Sequence, residues 1–163
     1  MQFIDLQAQR RRIEPEINAA VKKVIEEGRY VMGPEVAEFE KALASYGDAK
    51  RTVGVANGTD ALVLPLMAWG VKPGDAVFCP SFTFAATAQI IPWLGATPVF
   101  VDVETDTYNM SPVHLDAAIE MIKADGKLNP KAVIAVDLFG QPANYPEISA
   151  IVKKHGLKLI SDS

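Results

Sequence analysis

From Ile13 the apolar residues Ile13, Ile17, Val21, Val24 and Ile25 recur at three- and four-residue spacing. This predicts a helix with Pro15 in its first turn and Gly28 as its stop. A second helix follows "GPEV", with Val36, Phe39, Leu43 and Tyr46 on one face and Gly47 as its stop. The rhythm then changes to short apolar runs that alternate with helical patterns. "RTVGVA" reads as a strand, "NGTDAL" opens a helix, "AVFCP" is a strand and "TFAATAQIIPWLG" a helix. "TPVFVDV" is the next strand, and Ser111-Pro112 starts a helix carrying Leu115, Ala118, Ile119 and Ile122. "KAVIAVDLFG" returns to strand, "PEISAIVKKHG" to helix and "LKLIS" to strand. Strands this apolar have no face for water, so the alternation predicts an α/β fold: a mostly parallel sheet with helices on both faces. Pro65 interrupts the run after "NGTDAL" and predicts a kink or a short helix, because proline removes a helical hydrogen bond and crowds the preceding turn.

Composition agrees with a soluble globular domain: 163 residues, 49% hydrophobic and 22% charged, enough to bury a core. A net charge of −4 with both signs dispersed argues against a nucleic-acid partner, for which a concentrated basic patch is expected. The small cluster Arg10-Arg11-Arg12 reads as solvated surface. "MQFIDLQAQRRR" is too polar for a signal peptide, and no run approaches the roughly 20 apolar residues of a membrane span, so no membrane partner is expected. The single cysteine, Cys79, excludes an internal disulfide framework and suits a reducing cytoplasm; with no histidine near it in sequence it reads as a small buried strand residue. His114 and His155 read as surface or capping residues, and two separated histidines without a cysteine cluster give no metal-ligand pattern.

In open parallel sheets ligands bind beyond the carboxyl ends of the strands. After the first expected strand, "ANGTDAL" supplies Asn57 and Gly58 for a tight turn, Thr59 as a helix cap, and a helix N-terminus whose free N–H groups suit an anion, most simply a phosphate. An ordinary strand-to-helix turn is the other reading. After the second, "PSFTFAAT" puts Phe82 and Phe84 at the same edge, where a ring covers a flat ligand or packs in the core. Asp102 and Asp137 end strands where they line the cleft, Asp102 having the second reading of beginning the loop "ETDTYN", and Gln141 is either turn or cleft lining. Asp162 ends the last strand, where a buried carboxylate needs a cationic partner from the protein or from a ligand.

Seven segments in order, "FIDLQAQ", "GRYVMGPEVAEFE", "VANGTDAL", "KPGDAVFCPSFTFAATAQII", "GATPVFVDVETDTYNMSP", "VDLFGQPA" and "HGLKLISDS", resemble the first half of the DegT/DnrJ/EryC1/StrS sugar aminotransferases. The resemblance implies a fold-type-I aminotransferase large domain, truncated: a helical segment over 1–50, the first part of the cofactor-binding α/β domain over 51–163, and an absent small C-terminal domain. It implies pyridoxal 5'-phosphate (PLP) as cofactor, held through its phosphate by Gly58 and Thr59, stacked on by Phe84 and bound at its pyridinium nitrogen by Asp162. Gly33, Phe82 and Gln141 are the substrate-side candidates. The implied activity moves an amino group, with glutamate as the expected donor, to a nucleotide-linked keto sugar for surface polysaccharide or amino-sugar synthesis, in a cytoplasmic homodimer with shared active sites. The family's Schiff-base lysine stands in a "SFFPSK"-like segment that matches no lysine of residues 1–163, and Ser163 occupies a place where the family usually has alanine. A sugar dehydratase of the same family, with histidine for that lysine, and a non-catalytic binding or regulatory module are the alternatives.

Overall fold

The computed structural model describes residues 4–163, so Phe3 of the "FIDLQAQ" motif lies outside the described residues. The chain divides into a unit ending at Gly54 and a unit spanning Val55–Ser163. The first holds α1 (Leu6–Glu27) and α2 (Pro34–Tyr46). Helix α1 begins seven residues before the apolar repeat, because the Asp5 side chain accepts a hydrogen bond from Ala8 N–H at 2.8 Å and caps a polar first turn. Pro15 consequently lies inside the helix and not in its first turn. Gly33 is the N-cap of α2, and a Cβ there would stand 2.5 Å from the Arg29 carbonyl oxygen, so close backbone approach requires glycine at this turn.

The second unit contains α3 (Gly58–Ala68), β1 (Asp75–Pro80), α4 (Ala86–Trp93), β2 (Thr97–Val101), α5 (Pro112–Asp125), β3 (Asn129–Val136), α6 (Tyr145–His155) and β4 (Lys158–Asp162). The four strands form one parallel sheet in the order β2-β1-β3-β4. Successive side chains of a strand point to opposite faces, and the core divides accordingly. Val77, Cys79, Ala132 and Ile134 pack with Leu62, Leu66, Ile90 and Ile91 of α3 and α4. Ala76, Phe78, Val133 and Ala135 pack with Leu115, Ile119, Ile148 and Val152 of α5 and α6. The sheet is covered on both sides, as the apolar strands predict.

One expected strand is absent. "RTVGVA" joins no ladder, and Val53 and Val55 remain exposed. A strand exists through its neighbour, and among the described residues no strand pairs with this segment to accept and donate the ladder bonds. Helix α3 is short, at 11 residues, with Pro65 inside it. Among the described residues no helix is long and apolar enough to cross a membrane.

Candidate active site

A cavity of about 380 Å³ opens at the carboxyl ends of β3 and β4 and at the N-termini of α3 and α4. Its lining includes Gly58, Thr59, Phe84 and Asp162, four residues that are far apart in sequence. The volume falls in the range of about 300–1,000 Å³ typical of small-molecule sites. Sheet topology accounts for the convergence: parallel strands end on one side, and each following loop turns over the same edge.

The cap of α3 is Asn57 rather than Thr59. Asn57 is extended, its side-chain oxygen accepts from Asp60 N–H at 2.9 Å, and its backbone oxygen accepts from Ala61 N–H at 3.1 Å. The N–H groups of Gly58 and Thr59 make no hydrogen bond within the described residues, so both are available at the positive end of the helix, and the Thr59 hydroxyl is not spent on the cap. A Cβ at Gly58 would meet nothing within 4 Å, which leaves open space over these donors. Phe84 is 74% exposed at the cavity mouth, a position for a ring that covers a ligand and not for one that fills a core.

Two carboxylates face the cavity, and no lysine, arginine or histidine is among its lining residues. Asp162 is half-buried and no basic side chain of the described residues pairs with it. Burial raises its carboxyl above the ordinary aspartate value, the neighbouring Asp137 charge adds to this, and the Thr87 hydroxyl offsets part of it. Asp137 behaves oppositely. Burial would raise it, but hydrogen bonds from Ala143 N–H, the Ser163 hydroxyl and the Tyr145 hydroxyl, each 2.8 Å long, outweigh burial and hold its carboxyl below the usual range. Tyr145 in turn accepts from the Ser161 hydroxyl at 2.6 Å. The serine that stands where alanine is usual in the resembled family is thus one of the three donors that fix Asp137.

The other sequence candidates lie elsewhere. Gln141 borders a second cavity of about 400 Å³, and its backbone oxygen accepts from the buried Asn109 side chain at 3.0 Å, a contact that pins the turn. Phe82 joins Tyr108 and Phe139 in an aromatic cluster with ring centroids 5.6–6.3 Å apart. Gly33 belongs to the first unit, as the helix start described above. Asp102 accepts from Val103 N–H at 2.8 Å and begins a loop. Cys79 is fully buried, and burial pushes its thiol up to about 12, which removes any nucleophilic thiolate. His155 is not a surface residue: its side chain is 2% exposed, with Nε2 2.7 Å from Asp116 Oδ1 and Nδ1 2.6 Å from Lys123 Nζ. The lysine can only donate, so Nδ1 accepts, Nε2–H donates, and the ring latches α5 to α6. Asp116, Glu120 and His155 come close enough to hold a metal ion, but Lys154 already occupies the carboxylate of Asp116 at 2.9 Å. Sequence reasoning missed Thr87 and Tyr145, since nothing in an ordinary helix pattern marks a residue that points at a strand end.

Comparison with known proteins places this geometry. The chain is 45% identical over 163 residues to the UDP-2-acetamido-2-deoxy-3-oxo-D-glucuronate aminotransferase of Pseudomonas aeruginosa, covering all of this chain and 44% of that protein. A crystal structure of a DegT DnrJ EryC1 StrS aminotransferase from Brucella abortus superimposes with a TM-score of 0.97 at 57% identity, over 99% of this chain and 43% of that one. The structure of ntda from Bacillus subtilis with bound cofactor PMP superimposes with a TM-score of 0.83 at 29% identity, over 91% of this chain and 32% of that one. The chain therefore spans less than half the length of these relatives. The family model for the DegT/DnrJ/EryC1/StrS aminotransferase family matches residues 11–163, and on that match and these similarities the chain belongs to this family.

Proposed function

We propose that this chain carries the cofactor half of a PLP-dependent aminotransferase, which takes an amino group from glutamate and delivers it to a nucleotide-linked keto sugar in surface polysaccharide or amino-sugar synthesis. One observation carries the reading: a single cavity unites unpaired helix N-terminal donors, an exposed aromatic ring and a half-buried carboxylate without a protein cation. That donor set fits a phosphorylated, flat, cationic heterocycle. The Gly58 and Thr59 N–H groups and the Thr59 hydroxyl would hold the phosphate at the positive end of α3. Phe84 would cover one face of the ring and exclude water from it. Asp162 would accept from the protonated ring nitrogen, a contact that relieves the cost of burying an unpaired carboxylate. When bound, PLP supplies the electron sink that transamination needs.

The fine identity of the sugar rests on similarity to relatives named for UDP- and dTDP-linked sugars, the cytoplasmic location on the single cysteine, and the homodimer on the resemblance of the seven sequence segments. The same reading takes residues 1–50 as a helical segment of the large domain and 51–163 as the first part of its α/β body. The test has two stages. Pyridoxal phosphate titrated into the chain should quench the fluorescence of Trp69 and Trp93 in a saturable way, and Thr59→Val should weaken that binding. Glutamate and a UDP-linked 3-keto sugar should then yield 2-oxoglutarate with a holoenzyme that also includes the family's lysine segment. Absence of saturable pyridoxal phosphate binding would refute the assignment.

A further inference from the structure

Asp137 is the second acid of the proposed cofactor cavity. It lines the proposed cofactor cavity beside Asp162, its backbone N–H donates to the Asp162 carbonyl oxygen at 2.9 Å, and both of its carboxylate oxygens are engaged. Oδ1 accepts from Ala143 N–H and Tyr145 Oη, and Oδ2 accepts from Ser163 Oγ. Three donors from two segments of the chain, 143–145 and Ser163, fix one carboxylate in one orientation, and none of them is a cation. The charge is therefore held but not neutralised. The titratable groups facing it are Asp162 from β4 and Tyr145 from α6, and no basic residue lines the cavity.

We propose that Asp137 is a positioning residue of the cofactor site, a fixed second carboxylate that acts with Asp162 to make the cavity select a positively charged ring. The inference rests on the cofactor reading given above and deepens it. Asp162 alone would provide the acceptor for a ring N–H. With Asp137 anchored nearby, an incoming neutral ring leaves two like charges facing each other, whereas a protonated ring offsets both. Selection for the charged form then comes from the pair, and Tyr145, Ser161 and Ser163 serve to keep Asp137 ionised and unable to turn away.

The test uses 4-deoxypyridoxine 5'-phosphate, which has the ring nitrogen and the phosphate but no aldehyde, so no covalent anchor enters the measurement. The probe is bound to the full chain across a pH series, and the ring absorbance reports protonation of its nitrogen. In Asp137→Asn, the protonated probe should bind about tenfold more weakly, the scale of one unit-charge interaction across such a cavity at an effective dielectric of about 20. The bound ring should correspondingly lose its proton about one pH unit lower than in the wild type. Tyr145→Phe keeps the charge but removes one of the three donors that hold it, and it should move the ring titration in the same direction as Asp137→Asn by a smaller amount. A merely structural Asp137 would lower stability in Asp137→Asn but leave the ring titration superimposed on the wild type, which would overturn the proposal. If circular dichroism shows Asp137→Asn to be unfolded, Asp137→Ser removes the same charge with a smaller hydroxyl side chain, and the same shift is required of it. A wild type that does not bind the probe would overturn the cofactor reading and this inference together. Binding that Asp162→Asn weakens but whose pH profile neither Asp137 variant moves would overturn this inference alone.

Discussion

Replacing Asp162 with asparagine should stabilise the ligand-free chain at neutral pH while removing most of the stability that the cofactor adds. In the free chain burial and the Asp137 charge both disfavour the ionised Asp162, and its carboxyl is raised above the ordinary aspartate value. The fold therefore prefers the protonated form. Its stabilising contribution is complete below the carboxyl pKa of the unfolded chain and is lost as pH rises through the higher folded value. Asparagine mimics the protonated form at every pH. Because Asp162 is only half-buried, solvent screens the repulsion, and the gain at pH 7 is held to about 0.5–1 kcal/mol. Urea unfolding at a series of pH values should show the two proteins converging near pH 3, below the usual aspartate pKa of about 3.9, and separating toward pH 7 with equal m-values. With pyridoxal phosphate at 100 times its dissociation constant the wild type should gain about 2.7 kcal/mol. The variant should gain far less at the same concentration, so the ranking of the two proteins reverses. A variant that is less stable than the wild type without ligand at pH 7, or a difference that does not vary with pH, would refute the account of Asp162 as an unpaired acid awaiting a cation.

Thr59→Val should weaken pyridoxal phosphate binding by about 1–3 kcal/mol through the lost hydroxyl, measured by fluorescence titration; unchanged affinity would make the turn purely structural. Asn57→Ala removes the observed cap of α3 and should cost about 1 kcal/mol in urea unfolding, whereas the cap reading of Thr59 would assign that loss to Thr59→Val. Gly95→Ala should lower the thermal midpoint, since Gly95 has φ +73° and a Cβ there would stand 2.7 Å from Pro73 Cγ. The Cys79 thiol, fully buried and pushed up to about 12, should resist iodoacetamide at pH 8 in the folded chain and react rapidly in urea; fast labelling of the native state would contradict the packing of β1.

Local pattern alone determined much of this molecule. The periods of apolar residues placed six helices and four of five expected strands, because strands buried on both faces and helices with one apolar face leave distinct rhythms. The order of the elements implied a parallel sheet, and the rule that ligands gather at strand ends singles out Gly58, Thr59, Phe84 and Asp162, which line one cavity. Features that depend on a neighbour were not legible. "RTVGVA" has the composition of a strand but no partner for its backbone, and pairing is a tertiary event. The cap fell to Asn57 because the chain enters α3 extended at that residue, a dihedral that composition does not encode. His155 is hidden because α5 delivers Asp116 and Lys123 to its two nitrogens. Asp137 was one of two strand-end acids with equivalent sequence context, and only the packing of α6 and β4 against the end of β3 separates it from Asp102. That packing supplies Tyr145 and Ser163 as donors and Asp162 as a like charge, and a carboxylate acquires its protonation state and its role from what surrounds it in space.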